Sequence, residues 1–236
     1  MNLIKYILTT FIIVGISSQM AKAQQTVFNV PSADVTPKGS IFLQQESQFR
    51  GWEPNAFWAG TEYTALGIGK NTELTMTLFN VSAPKTGNIV LGTGFKSAIP
   101  IPKLKDKYPN REYKIIIGDE VLTSLQGNGM GNWSFVTLSG RLPKLNTRLT
   151  GGYSYGTKDI FGKDTGCFIG AIEQPVTKKF SIIADWYSGK EHFAGFLIPG
   201  ISYSFPKNVN IYAGYQIPNS PENSPSGFVI ELAKIF

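Results

Sequence analysis

The chain carries few residues that could do nucleophilic or metal chemistry, with one histidine, His192, and one cysteine, Cys167. Ser188 lies four positions before His192, but a serine nucleophile needs a base within hydrogen-bond reach and a third group that orients the base. A zinc site of the usual kind needs three or four ligands, which one histidine and one cysteine do not provide. We therefore predict no catalytic residue, no metal site and no cofactor, and interpret Cys167 as a small apolar residue of a strand.

Charged side chains inside segments of alternating polarity indicate more about the fold and the lumen than the single histidine and cysteine do. They lie opposite the apolar residues, so they face either water, in a sandwich, or the lumen of a closed barrel. Charges in a narrow interior must be paired or hydrated, so a barrel would hold a paired network or a wet channel. The predicted lumen-lining residues are Glu46, Glu62, Glu73, Lys96, Lys114, Glu120, Arg148, Asp185 and Glu231.

Alternation at a period of two is clearest from Thr72 to Asn80, where Leu74, Met76 and Leu78 share one face. A helix is disfavoured because acidic residues would fall inside any apolar stripe of period 3.6. The pattern predicts an all-β fold, an antiparallel transmembrane β-barrel of about twelve strands. The predicted strands are 39–49, 57–68, 72–81, 88–98, 113–124, 133–141, 147–156, 165–174, 179–187, 193–204, 209–217 and 227–236.

The first residues have the features of a secretory leader. A short basic segment ending at Lys5 precedes an apolar run over 7–16, and Ala21-Lys22-Ala23 is a small-x-small cleavage signal. The prediction is a signal peptide over 1–23 and a barrel domain over 24–236. A single cysteine excludes an internal disulfide framework. The scattered basic residues give no clustered face for nucleic acid, despite a net charge of +6.

The connections between predicted strands suggest an orientation. Alternate connections are short and often begin with proline, as expected for periplasmic turns, whereas the others are longer and polar. The connection over 99–112 is long yet falls on the short-turn side, and the pattern gives no account of it. Aromatic residues gather near strand ends, and the chain finishes on Phe236. These features predict a protein of the outer membrane of a Gram-negative bacterium, with lipid and the barrel-assembly machinery, through the strand ending at Phe236, as partners.

Several glycine-rich motifs are similar to those of a known family. They are Leu66-Gly67-Ile68-Gly69-Lys70-Asn71-Thr72-Glu73-Leu74, Leu91-Gly92-Thr93-Gly94-Phe95-Lys96, Asp185-Trp186-Tyr187-Ser188-Gly189, Pro199-Gly200-Ile201-Ser202-Tyr203 and Ala213-Gly214-Tyr215. The chain resembles the outer-membrane proteins of the meta pathway of phenol degradation. The resemblance implies an outer-membrane barrel that takes up hydrophobic small molecules, and it carries no catalytic residues.

Three functions remain open from the sequence. The first is a passive channel or transporter for small molecules, because a barrel of twelve strands is wider than one of eight, which side chains just fill. The second is a non-conducting barrel that serves as a scaffold or surface-interaction protein. The third is a soluble exported β-protein that binds a small ligand.

Overall fold

The fold was determined from a computed structural model that describes residues 25–52, 56–83, 88–161, 163–192 and 194–236. The predicted signal peptide over 1–23 lies outside these residues. The strands are β1 (Ile41–Arg50), β2 (Phe57–Gly67), β3 (Thr72–Ala83), β4 (Val90–Pro100), β5 (Lys114–Ser124), β6 (Met130–Arg141), β7 (Arg148–Gly156), β8 (Gly166–Pro175), β9 (Phe180–Tyr187), β10 (Phe196–Phe205), β11 (Val209–Pro218) and β12 (Gly227–Ile235). The helices are α1 (Pro102–Lys107), a 3-10 turn (Pro109–Arg111) and α2 (Lys158–Phe161).

Each strand pairs antiparallel with its neighbours in the chain, and β1 pairs with β12, so the sheet closes into a barrel. At this closure Phe42 lies opposite Ile235, and Phe49 lies opposite Phe228. The predicted all-β antiparallel barrel of twelve strands is confirmed. In the described part of the chain, no helix has the length and apolar character to cross a membrane.

The two ends of the barrel differ in their connections. One end, called the turn end, contains the start of β1 and the end of β12. It also contains the short connections 68–71, 142–147, 176–179 and 206–208. The longest connections apart from 101–113, which are 157–165, 188–195 and 219–226, lie at the opposite end, called the loop end. The connection 101–113 is long because it folds into α1 and the 3-10 turn before it returns to the barrel with Glu112, which has a positive φ of 49°.

The two faces of the wall differ in polarity. In β3, Glu73, Thr75 and Thr77 are buried toward the interior, whereas Leu74 and Met76 are about half exposed on the outside. Large apolar side chains are exposed on other strands too, among them Leu43, Leu66, Val136, Phe168, Ile182 and Ile230. An apolar outside around a polar inside is the arrangement of a barrel in lipid, because exposed apolar patches of this extent are rare on soluble proteins.

Met76→Arg should lower the free energy of unfolding by about 2–4 kcal/mol, because it places a cation on the outer face near the middle of β3. Met76→Leu is the matched control, since it keeps the apolar volume and should change the free energy by less than about 1.5 kcal/mol. Urea unfolding in lipid vesicles measures both changes. Equal effects from the two variants would contradict a hydrocarbon environment at this position.

The prediction that Glu62 lines the lumen is wrong. Tyr63 and Ala65 of β2 pack inside the barrel, which directs Glu62 to the exposed outer face beside Gln45 of β1. The alternation is ambiguous here because β2 has apolar residues on both faces, with Trp58 among those exposed. The register of β2 against β3 also shifts after Gly60.

Candidate functional site: the filled lumen

Residues 25–36 precede β1 and enter the barrel as a small hairpin, which we call the plug. The Val27 N–H donates to the Val30 carbonyl at 2.9 Å, and the Ser32 N–H donates to the Gln25 carbonyl at 3.0 Å. Most of its side chains are buried, several of them completely. The lumen is therefore occupied by the chain's own N-terminal segment rather than by wall side chains alone.

Asp185 of β9 holds the tip of the plug. Its Oδ2 atom accepts hydrogen bonds from the backbone N–H of Asn29 at 2.6 Å and of Val30 at 2.8 Å. The hydroxyl of Tyr187, on the same face of β9, donates to the Asn29 carbonyl at 3.1 Å. Asp185 is 2% exposed, so these bonds form away from bulk water. Hydrogen bonds to a charged acceptor are stronger than those between neutral groups, so this contact contributes strongly to the plug's position.

Phe28 fills the space beside the tip. Its ring belongs to a buried cluster that includes Ile198 and Tyr212 of the wall. Gly200 and Gly214 lie directly beneath the ring, and a Cβ at either position would come within 2.6 Å of the Phe28 Cζ atom. The two glycines therefore make room for the plug, because any larger residue would have to displace the Phe28 ring.

A buried lysine joins the start of the plug to the wall. Lys96 Nζ lies 3.1 Å from Oε1 of Glu73 and donates to the Gln25 backbone carbonyl at 2.7 Å and to the Gln25 side-chain oxygen at 2.8 Å. The second oxygen of Glu73 accepts from the Thr36 N–H at 2.6 Å. One ion pair of the wall thus binds both ends of the plug.

Arg148 is the centre of a second buried network near the turn end. Its guanidinium lies 2.9 Å from Asp34 of the plug, 3.0 Å from Glu112 and 3.4 Å from Glu173. The Arg148 side chain is only 2% exposed. Three carboxylates around a single guanidinium satisfy a buried charge that would otherwise be costly.

Five of the predicted lumen residues contact the plug. They are Glu73, Lys96, Lys114, Arg148 and Asp185, with Lys114 Nζ donating to the Ala33 carbonyl at 2.7 Å. Three others are buried within the wall. Glu46 lies opposite Glu231 across the closing strands, and Glu120 accepts from the Thr77 hydroxyl at 3.2 Å. These residues act on the plug or on each other, and their role toward a solute stays a prediction.

Sequence reasoning missed the plug itself and several residues of the networks around it. Asp34, Glu112, Glu173 and Tyr187 complete the contacts described above. The segment before β1 has no alternation that would place it inside a barrel. The only available signal is indirect, since a wide barrel with many inward charges must contain something that pairs with them.

A cavity of about 240 Å³ lies above the tip of the plug at the loop end, and we call it the vestibule. Its polar lining residues are Asn29, Gln48, Thr61, Asn80, Gln216 and Ser224, and the remainder of its lining is Phe57, Ala59, Gly60, Ala194, Phe196 and Pro225. Asn29 belongs to the plug, so the plug forms the floor of the vestibule.

His192 and Ser188 have structural contacts. The His192 Nδ1 atom accepts from the Ala194 N–H at 3.0 Å, and its ring stacks on Tyr187 at 5.5 Å between centroids. Burial lowers the pKa of His192 to about 4, although nearby Asp164 opposes this shift. The Ser188 hydroxyl accepts from the Phe168 N–H at 2.8 Å. These contacts fix the connection between β9 and β10, which contributes Ala194 to the vestibule.

Cys167 is 2% exposed in β8 and packs in an apolar cluster, which fits its predicted role as a small apolar residue. Its sulfur lies 3.3 Å from the Ser154 hydroxyl. Within the described residues, no group of three histidine, cysteine or acidic side chains is placed to hold a metal ion.

The solved structure of one porin shares this fold, and two further outer-membrane proteins align less closely. The KdgM porin aligns with a TM-score of 0.54 at 10% identity, over 84% of this chain and 99% of the porin. Omp33 of Acinetobacter baumannii aligns at 0.48 with 12% identity, over 86% of this chain and 99% of Omp33. An outer membrane channel from Pseudomonas putida F1 aligns at 0.46 with 8% identity, over 87% of this chain and 98% of that channel. At such identities the likeness to the KdgM porin shows the fold alone.

No protein-family model matches the sequence, and no curated protein matches it. The resemblance to proteins of the phenol-degradation meta pathway therefore stays a prediction.

Proposed function

We propose that the protein is an outer-membrane channel for small solutes that its own N-terminal plug closes. The observation that carries this proposal is the plug itself, a separate segment of chain held in the lumen by polar contacts to Asp185, Lys96, Glu73 and Arg148. A barrel that had no use for its lumen could fill it with wall side chains.

The dimensions of the barrel support a conducting role. An eight-stranded barrel is just filled by its own side chains, and a barrel of sixteen to eighteen strands leaves a water-filled channel. A wall of twelve strands is intermediate, and the plug occupies the extra space. The wall closes through the β1–β12 ladder, whose backbone pairs include no residue of the plug, although the inward side chains of these strands pack against it. Removing the plug would therefore leave a passage lined by the polar residues described above and by the apolar wall residues that pack against Phe28.

The membrane setting of the proposal follows from the outer face and the predicted leader. The apolar outer residues would contact lipid, and the turn end would face the periplasm, because both ends of the strand series and the short turns lie there. Phe236 at the end of the chain is 61% exposed, so its ring would be accessible to the assembly machinery. The predicted cleavage after Ala23 would release the plug as the mature N-terminus.

Conductance in planar bilayers tests the proposal. The mature protein should be silent or open only rarely, and a variant lacking residues 25–36 should conduct steadily, because the passage is then unobstructed. Heat-modifiable migration on gels verifies that both proteins are folded barrels. A plug-free barrel that folds and stays silent would overturn the channel proposal.

A non-conducting scaffold is the second candidate, and the filled lumen favours it. In that case the plug would serve as a core that stabilises the wall. The plug-free variant separates the two functions, since a scaffold would lose its folded form on the gel, whereas a channel would keep its fold and gain conductance. Purification as a folded monomer without any amphiphile would instead support a soluble ligand-binding protein and contradict both candidates.

A further inference from the structure

We infer that the vestibule is a binding site for an uncharged monosaccharide ring, which it holds above the plug before passage. The inference rests on the proposed channel function, because it names the class of solute that the channel admits. It is carried by the size of the cavity, the chemistry of its lining and one buried polar atom that has no partner.

The size of the vestibule suits a single ring. Its volume is about 240 Å³, whereas an apolar cavity of about 150 Å³ accommodates benzene. A six-membered ring with hydroxyl substituents therefore fits, and a chain of several rings does not fit within the cavity alone. The plug limits the depth of the site because Asn29 forms its floor.

The lining matches hydroxyl groups rather than charges. Among the described residues that line the vestibule, none is charged, and its polar groups are amides and hydroxyls. An amide offers both a donor and an acceptor, and so does each hydroxyl of a sugar. Phe57 and Phe196 add apolar surface on which the C–H face of a ring can pack. The carboxylate of Glu46 lies behind the lining, where it accepts from the Gln48 amide at 2.7 Å. Glu46 does not line the vestibule, so a charged solute would have to lose water here without direct contact with an opposite charge.

Gln216 supplies a second observation at the vestibule. Its side chain is 2% exposed, and its amide nitrogen donates to the Pro225 carbonyl at 3.3 Å. In the described part of the chain, the amide oxygen that remains has no hydrogen-bond partner. A buried acceptor without a partner is unfavourable, and because Gln216 lines the vestibule, a ligand hydroxyl there would satisfy this oxygen when the amide turns toward the cavity.

Saturation-transfer NMR on the full protein in detergent tests the inference with three probes of the same ring: glucose, glucuronate and glucosamine. Glucose should bind at least about tenfold more tightly than either charged sugar. A tenfold difference in affinity is the cost expected when one buried charged group of the ligand lacks a partner. Gln216→Leu should weaken glucose binding by about tenfold. Thr150→Val, which removes a buried hydroxyl near the turn end, is the matched control and should leave binding unchanged.

Equal binding of glucose and glucuronate would overturn the inference, as would unchanged glucose binding in Gln216→Leu with the folded state verified on gels. Absence of transfer to all three sugars would overturn it as well. None of these outcomes affects the channel proposal, since conductance of the plug-free variant is measured without any sugar. Conversely, a silent plug-free barrel would contradict the channel even if glucose bound.

Discussion

Arg148→Met should lower the free energy of unfolding by about 3–5 kcal/mol, one of the largest effects expected from a single substitution in this protein. Arg148 contacts the carboxylates of Asp34, Glu112 and Glu173 at a position that is only 2% exposed. Methionine fills a similar volume but leaves three carboxylates without their shared cation. Urea unfolding in lipid vesicles, followed by tryptophan fluorescence, measures the loss.

Two other variants identify the cause of that loss. Arg148→Lys keeps the charge, but an ammonium lacks the planar fork that contacts several carboxylates at once, so it should restore only part of the stability. Arg141→Met removes a pair with Glu112 alone and should cost less than Arg148→Met. If Arg148→Met cost no more than about 1 kcal/mol, like an exposed pair, then the network would not be buried in solution.

The wall of the barrel was predictable because the information is local. In β3 and β12 each side chain faces the opposite side from its neighbours, so residues such as Met76 and Glu231 reveal their faces directly. The prediction was wrong at Glu62 because β2 has apolar residues on both faces, and because the register shifts after Gly60. Where two faces have similar polarity, alternation alone gives no direction.

The plug was not predictable because its position depends on contacts between distant parts of the chain. Val30 and Asp185 are 155 residues apart, and Asp34 and Arg148 are 114 residues apart. Nothing in the local sequence of 25–36 marks it as an interior segment. The inward charged residues indicated that some group in the lumen must pair with them. The identity of that group depends on which distant residues the closed barrel brings together.

The glycine-rich motifs have local physical reasons. Gly200 and Gly214 lie against Phe28, and a Cβ at Gly94 would come within 1.8 Å of the Asp119 carbonyl on the neighbouring strand. Close approach of backbones and of the plug is enough to require glycine at these positions. These motifs are therefore consistent with a narrow, filled barrel, and they do not specify a solute.

Asp185→Ala should raise the ratio of open to closed channel by about 10- to 100-fold. The Asp185 carboxylate accepts from the N–H groups of Asn29 and Val30, and each bond to a charged group contributes about 1.5–3 kcal/mol. The loss of these bonds is partly offset, because the closed state of the variant no longer has to desolvate the Asp185 carboxylate. We therefore expect the free-energy difference between closed and open states to change by about the energy of one such bond. Single-channel recording in planar bilayers measures the open probability.

Asp185→Asn and Glu120→Gln are the controls for this effect. An asparagine oxygen still accepts both N–H groups, so Asp185→Asn should open the channel less than Asp185→Ala does. Glu120 is also a buried lumen carboxylate, but it accepts a hydrogen bond from Thr77 of the wall, so Glu120→Gln should leave the open probability unchanged. If the plug-free barrel conducts while Asp185→Ala stays as silent as the native protein, the plug must be held by its other contacts, among them those with Lys96, Glu73, Lys114 and Arg148. Asp185 would then serve the fold of the hairpin tip and not the closure of the channel.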